Sequence, residues 1–213
     1  MDVKICGLKT PEAIEAAATS GASHIGLNFF PPSPRAVTPE AAKELAAHVP
    51  DGVKIVALVV DADDALLDAI WTNLHPDIFQ LHGKESPDRV RELKARYGVS
   101  VMKVIRVAEA ADARTAEAYD GVADFILFDA KPPKELDKLP GGNGLSFDWT
   151  ALQAYRGGTP WMLAGGLNAG NVAEAIRMTG AKAVDTASGA EDAQGVKNPN
   201  KIRAFVSAAL QAD

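Results

Sequence analysis

One cysteine occurs in the 213 residues, Cys6 in the run KICGLKT, where a short apolar stretch gives way to glycine. A lone thiol at such a boundary is either a small buried hydrophobe or a reactive group held at a strand end. Strand periodicity puts Lys4 and Cys6 on one face and Val3 and Ile5 on the other. Val3 and Ile5 suit a layer between sheet and helices, which turns Cys6 to the opposite side. A second reactive candidate, Asp129, ends the run DFILFDAKPP on the same face as Phe125 and Leu127. Its plainer role would be to cap the following turn. A thiol and a carboxyl delivered to one rim would form an acid/base pair.

Anion-binding candidates surround that pair. Arg35 follows the stiff PPSP run, and a guanidinium there could grip a carboxylate or phosphate with two prongs or simply sit in solvent. Glycine-bearing stretches at 140–144, 163–167 and 187–191 allow backbone N–H groups to approach an anion closely. Gly165, Gly166, Ser188 and Gly189 are the phosphate candidates among them, because they follow late strands, and Asp185 ends the last strand. Lys131 lies two residues past Asp129, so an imine-forming lysine is a rival chemistry. His82 in QLHG reads as a hydrogen-bonding loop residue, and His24, His48 and His75 show no metal-site spacing.

The elements that must position these groups alternate in type. Strands are expected at 3–6, 24–28, 54–59, 77–81, 101–105, 125–128, 162–164 and 183–185. Helices are expected at 11–19, 39–48, 63–73, 87–97, 108–119, 149–155, 171–179 and 199–210. Thr10-Pro11-Glu12, Thr38-Pro39-Glu40 and Ser86-Pro87-Asp88 each read as a hydroxyl cap, a first-turn proline and an acidic residue. Gly21, Gly98 and Gly180 read as helix stops. Strand–helix alternation calls for a parallel sheet, doubly wound or closed. CGLKTPE after the first strand lacks G-x-G-x-x-G, so the closed (β/α)8 TIM barrel is preferred, as a single domain over 1–213 with few insertions. Its strands would deliver Cys6, Asn28, Gln80 with His82, Arg106, Asp129 and Asp185 to one rim. The longest irregular stretch, 130–146, follows the sixth strand and suggests a functional loop.

Composition narrows the partners. Apolar residues make up 47% and charged residues 23%, as in soluble globular domains. No apolar run approaches the roughly 18 residues of a membrane span. No leader pattern precedes the first strand, and a single cysteine suits a reducing compartment, so a cytoplasmic protein without membrane contact is expected. With 22 basic against 28 acidic residues the formal charge is −6, which disfavours nucleic acid. An anionic small molecule requires a locally positive pocket.

The segments KICGLKTPEAIEAA, IGLNFFPPSPRAV, QLHG, FDAK…GGNGLSFDW, LAGGLNAGNV and VDTASGAED…GVKNPNKI, in this order, resemble the phosphoribosylanthranilate isomerases over about residues 3–205. The resemblance implies the Amadori rearrangement of N-(5-phosphoribosyl)anthranilate to a 1-deoxyribulose 5-phosphate in tryptophan biosynthesis, without metal or organic cofactor. By motif, Cys6 resembles the general base and Asp129 the general acid. Arg35 resembles the residue that holds the anthranilate carboxylate, with Asp185 lining the same pocket. Gly165, Gly166, Ser188 and Gly189 match the phosphate loops. Such an acid must carry its proton when substrate binds, which burial favours. The thiol must ionise, for which Lys4, one pleat below, is a candidate source of positive field.

Two departures stand out. The family commonly has GGTG and VSSG where this chain has GGNG and TASG, placing Asn143 and Ala187 at hydroxyl positions. Two further alternatives stay open on the residues. One is the histidine-pathway aminoaldose isomerisation, which uses an aspartate where Cys6 stands; the other is a phosphate-binding barrel that has lost its chemistry.

Overall fold

The structure, a computed structural model, describes residues 1–131, 144 and 146–212. Eight parallel strands close into a barrel in chain order: β1 (Asp2–Cys6), β2 (His24–Asn28), β3 (Lys54–Val59), β4 (Ile78–Leu81), β5 (Ser100–Val107), β6 (Phe125–Ala130), β7 (Trp161–Leu163) and β8 (Ala183–Thr186). β8 pairs back onto β1 with Lys4 beside Asp185. The helices are α1 (Pro11–Thr19), α2 (Pro39–Ala46), α3 (Asp64–Leu74), α4 (Pro87–Tyr97), α5 (Ala110–Arg114), α6 (Val172–Thr179) and α7 (Pro199–Leu210). Beyond β8 a small antiparallel hairpin forms from β9 (Glu191–Ala193) and β10 (Val196–Lys197). Among the described residues no helix is long and apolar enough to cross a membrane.

Local chemistry sets the helix starts. The side chains of Thr10, Thr38 and Ser86 accept from the backbone N–H of Ala13, Ala41 and Arg89, and each precedes a proline with no N–H to satisfy. Gly98 and Gly180 end α4 and α6 in the left-handed conformation. Two expected helices differ. The 108–119 segment starts at Ala110, because the Asp112 carboxylate turns back to cap the Ala108 and Glu109 N–H groups, and after Arg114 it continues as a 3₁₀ stretch (Thr115–Tyr119). Between β6 and β7 the connection contains a 3₁₀ helix (Trp149–Ala154) rather than an α-helix.

Strand alternation builds two apolar zones. Val3, Ile5, Ile25, Leu27, Phe79 and Phe128 point outward into the layer beneath the helices. Val56, Ile78, Met102, Val104, Leu127 and Met162 fill the barrel interior. That plug leaves the C-terminal rim as the place where interior side chains turn polar.

Candidate active site

The rim encloses a cavity of about 770 Å³, open mouth included, lined by Cys6, Arg35, Asp129 and Asp185 among others. Cys6 is 4% exposed and free of any disulfide. Its sulfur fits because Gly26 lies beside it on β2. A Cβ at Gly26 would fall 2.9 Å from Sγ and 3.1 Å from the Cys6 Cα. The glycine that follows the cysteine has its own reason. Gly7 adopts a φ of +77°, and an added Cβ there would meet the Arg35 Cδ at 2.6 Å, so the arginine's aliphatic stem crosses directly over it.

Burial pushes the Cys6 thiol up, and this outweighs the favourable field of Lys4 and of Lys197; the Asp185 charge adds to the rise. Lys4 is thus a source of positive field at the thiol, as its place on the strand suggests, but burial is the larger effect. It is fully buried inside the barrel, with Nζ 2.9 Å from Asp185 Oδ1. Burial opposes the Lys4 charge, yet the neighbouring Asp185 and Cys6 hold it above its ordinary value.

Arg35 is 3% exposed, not solvated. Its Nε and Nη2 donate to the two carboxylate oxygens of Glu191 at 2.7 and 2.8 Å. Lys197 donates to Glu191 Oε1 at 2.8 Å and to the Ala187 carbonyl at 2.7 Å. Burial alone would raise the Glu191 carboxyl, but hydrogen bonds from Arg35 and the Lys197 charge bring it down to about 2. Burial in turn lowers Lys197, despite Glu191. Glu191 and Lys197 belong to the β9–β10 hairpin, whose Gly195 packs where a Cβ would meet the Pro34 carbonyl oxygen at 2.8 Å. The hairpin thus braces the loop that carries Arg35. Glu191 occupies the Nε–Nη2 edge of the guanidinium, which closes that edge to an external carboxylate.

Asp129 is 8% exposed and its Oδ1 accepts from the Ala130 N–H at 2.9 Å. Oδ2 lies 3.4 Å from His82 Nε2. His82 lines the cavity, but its Nε2 has no hydrogen-bond partner, which corrects the expectation of a bonded loop residue. Gln80, one interior position earlier on β4, likewise leaves Oε1 unpartnered against the cavity.

At the far end of the cavity, Gly165 and Gly166 line the wall with φ of +88° and +65°. A Cβ at Gly165 would sit 2.7 Å from the Ala130 N, so only glycine lets that turn approach β6. Ala187 and Ser188 complete this end. Gly189 lies one step beyond the lining, where a Cβ would overlap the Leu167 carbonyl oxygen. Gly144 also faces in, whereas Asn143 lies outside the described residues. Lys131 does not face in. It is exposed and pairs with Asp112 at 2.7 Å, which removes the geometry for an imine in this cavity. Among the described residues no group of three or more His, Cys, Asp or Glu side chains could hold a metal ion.

Sequence and fold comparisons show the family. Residues 3–208 match the family model described as N-(5'phosphoribosyl)anthranilate (PRA) isomerase. An N-(5'-phosphoribosyl)anthranilate isomerase of Parvibaculum lavamentivorans is 56% identical over 213 residues, covering 100% of this chain and 99% of the relative. That of Paramagnetospirillum magneticum is 54% identical over 209 residues, covering 98% and 97%. The crystal structure of the Thermotoga maritima enzyme superposes with a TM-score of 0.86 at 30% identity, with 99% of each chain covered. A phosphoribosyl anthranilate isomerase in complex with reduced 1-(o-carboxyphenylamino)-1-deoxyribulose 5-phosphate superposes at 0.83, with 29% identity and the same coverage. A barrel of this topology, matched along nearly its whole length, belongs to the N-(5'-phosphoribosyl)anthranilate isomerase family.

Proposed function

We infer that this chain, acting as one (β/α)8 domain, catalyses the Amadori rearrangement of N-(5'-phosphoribosyl)anthranilate to 1-(2-carboxyphenylamino)-1-deoxyribulose 5-phosphate, a step of tryptophan biosynthesis. The observation that carries this reading is the placement of Cys6 and Asp129, from strands on opposite sides of the barrel, on one cavity with a glycine-rich end. Family membership supports the substrate.

Asp129 acts as general acid. Its proton passes to the furanose ring oxygen as the C1–O bond breaks, and the nitrogen lone pair closes a C=N bond. The iminium acidifies the C2 hydrogen, which Cys6 removes as thiolate; the enolamine then tautomerises to the ketone. Substrate carries a phosphate and a carboxylate. The phosphate lies against the 165–166 turn and the 188–189 segment, where backbone approach is unobstructed by side chains. The carboxylate meets Arg35, with Asp185 lining the same side of the cavity. Ala187 leaves the phosphate end one hydroxyl poorer than the family pattern, with Ser188 retained. No step draws on a metal or organic cofactor. A cytoplasmic setting suits a site built around a free thiol.

The test generates substrate in the cuvette and follows the loss of its fluorescence. The purified chain should turn it over. Cys6→Ala and Asp129→Asn should each lose at least about 100-fold in kcat, while reduced product analogue still binds to both. Turnover by Cys6→Ala at the unsubstituted rate removes Cys6 as the base.

A further inference from the structure

Among the described residues three buried side-chain polar atoms lack a hydrogen-bond partner, and two of them, Gln80 Oε1 and His82 Nε2, lie on the cavity wall contributed by β4 and its loop. Buried polar atoms are nearly always satisfied, so two orphans at successive interior positions of one strand mark a wall that finds its partners during the reaction. The position of His82 is not loose. Its backbone N–H extends the ladder to the Val59 carbonyl at 2.9 Å. The loop that follows is pinned by Lys103, whose Nζ donates to the Gly83 carbonyl at 2.7 Å and to Glu85 Oε2 at 2.8 Å. Glu85 in turn accepts from the Gly83 and Asp61 N–H groups, and its carbonyl accepts from Tyr119. The backbone is held this firmly, while the ring Nε2, without a partner, lies 3.4 Å from Asp129 Oδ2, just beyond a good hydrogen bond.

The two oxygens of Asp129 are unlike. Oδ1 already accepts from the Ala130 N–H. Oδ2 is thus the oxygen left for the transferable proton, and it is the one that faces His82. While Oδ2 is protonated, a hydroxyl oxygen offers a histidine donor little. Once the proton has gone to the sugar, Oδ2 carries charge, and a donor a few tenths of an ångström away can close on it to form a charge-assisted bond. An interaction that forms only as the proton leaves lowers the barrier without tightening substrate binding.

We propose that His82 is a positioning residue for the acid step: its Nε2–H donates to Asp129 Oδ2 as that oxygen gives its proton to the furanose ring, stabilising the carboxylate produced. Atoms balance without a further reactant. The proton moves from Oδ2 to the ring oxygen, the C1–O pair stays on that oxygen, and His82 keeps its own proton. This rests on the isomerase reading and assigns one of its steps to a residue outside the acid/base pair.

Kinetics of His82→Leu, His82→Gln and His82→Asn test it, with the unsubstituted chain in the same assay. Leucine removes the donor. Glutamine returns an N–H at about the reach of Nε2, and asparagine is too short to do so. His82→Leu should lose about 10- to 100-fold in kcat, the worth of a hydrogen bond to a charged group, with KM changed less than about threefold. His82→Gln should recover most of that loss and His82→Asn should not. An unchanged kcat in His82→Leu, a raised KM at constant kcat, or equal rates for the glutamine and asparagine variants overturns the assignment. The last comparison stands even if the leucine variant fails to fold. No turnover by the unsubstituted chain overturns the isomerase reading itself, whereas turnover by that chain with any of those three results overturns the His82 role alone.

Discussion

Arg35 and Glu191, 156 residues apart, meet in a buried two-pronged ion pair, with Nε on Oε1 at 2.7 Å and Nη2 on Oε2 at 2.8 Å. Lys197 shares the same carboxylate, so the cluster holds two cations around one anion. These two cations sit at the rim of a protein whose formal charge is −6. A doubly anionic substrate needs that local sign, and the global sign matters little within roughly 8–10 Å of it at physiological salt.

Arg35→Lys tests the planar geometry. A compact ammonium cannot hold both Glu191 oxygens and still present a flat edge to a ligand carboxylate. KM for substrate should rise about 10-fold or more, with kcat reduced much less. Steady-state kinetics check this, and an unchanged KM would return Arg35 to a purely structural role.

The Glu191 carboxyl, brought from 4.5 down to about 2, ties stability to acid. A lowered acid contributes in full above its unfolded value and loses that contribution as pH falls through the folded one. Between about pH 4.5 and pH 2 the fold should therefore lose on the order of 3 kcal/mol from this group. Urea unfolding at stepped pH measures it. In Glu191→Gln the acid-dependent slope over that window should be shallower than in the unsubstituted chain.

Cys6 makes an opposite prediction at the alkaline side. Burial raises its thiol above the ordinary 9.0, so near neutrality the sulfur in the free protein is overwhelmingly protonated. Each pH unit gained multiplies the thiolate about tenfold until its own pKa is reached. Thiolate ultraviolet absorbance of the free protein, read as the difference from Cys6→Ala, should climb steadily from pH 7 to past pH 9. A plateau below pH 8 would contradict a buried thiolate base.

Lys4→Met isolates the ion pair inside the barrel. Removing the ammonium strands Asp185, which is 7% exposed, as a buried unpaired charge. The cost should be about 3–5 kcal/mol, a fall in Tm of roughly 6–20 °C for a domain this size. Calorimetry reads it directly. Replacing both partners, Lys4→Met with Asp185→Leu, should recover much of the lost stability.

Where function depends on which way a strand faces, the sequence was readable. Period two turns Cys6 and Asp129 toward the rim, the end of the last strand brings Asp185 there, and all three line the cavity. Strands 24–28 and 54–59 coincide with their expected bounds, because apolar runs bounded by turn residues leave little choice. β5 runs on to Val107, since Arg106 and Val107 continue pairing with Asp129 and Ala130, a partnership no local pattern announces. The same limit hid Glu191 and Lys197. Each is an ordinary charged residue in a hairpin, and its meaning arises only when the two ends of the chain meet. Lys4 was legible only in part, for a related reason. Its place on the strand was right, but the weight of burial against charge is a three-dimensional quantity. Gly26 was unreadable because its role is the space it leaves for a sulfur on another strand.

The barrel seam carries a consequence for folding. Lys4 and Asp185 are register neighbours where the last strand joins the first, and Glu191 and Lys197 lie a few residues further on. A folding chain therefore holds Lys4, beside the base Cys6, with no countercharge until β8 closes the seam. Catalytic competence should arrive abruptly, when β8 and the hairpin that follows it dock onto the rest of the barrel.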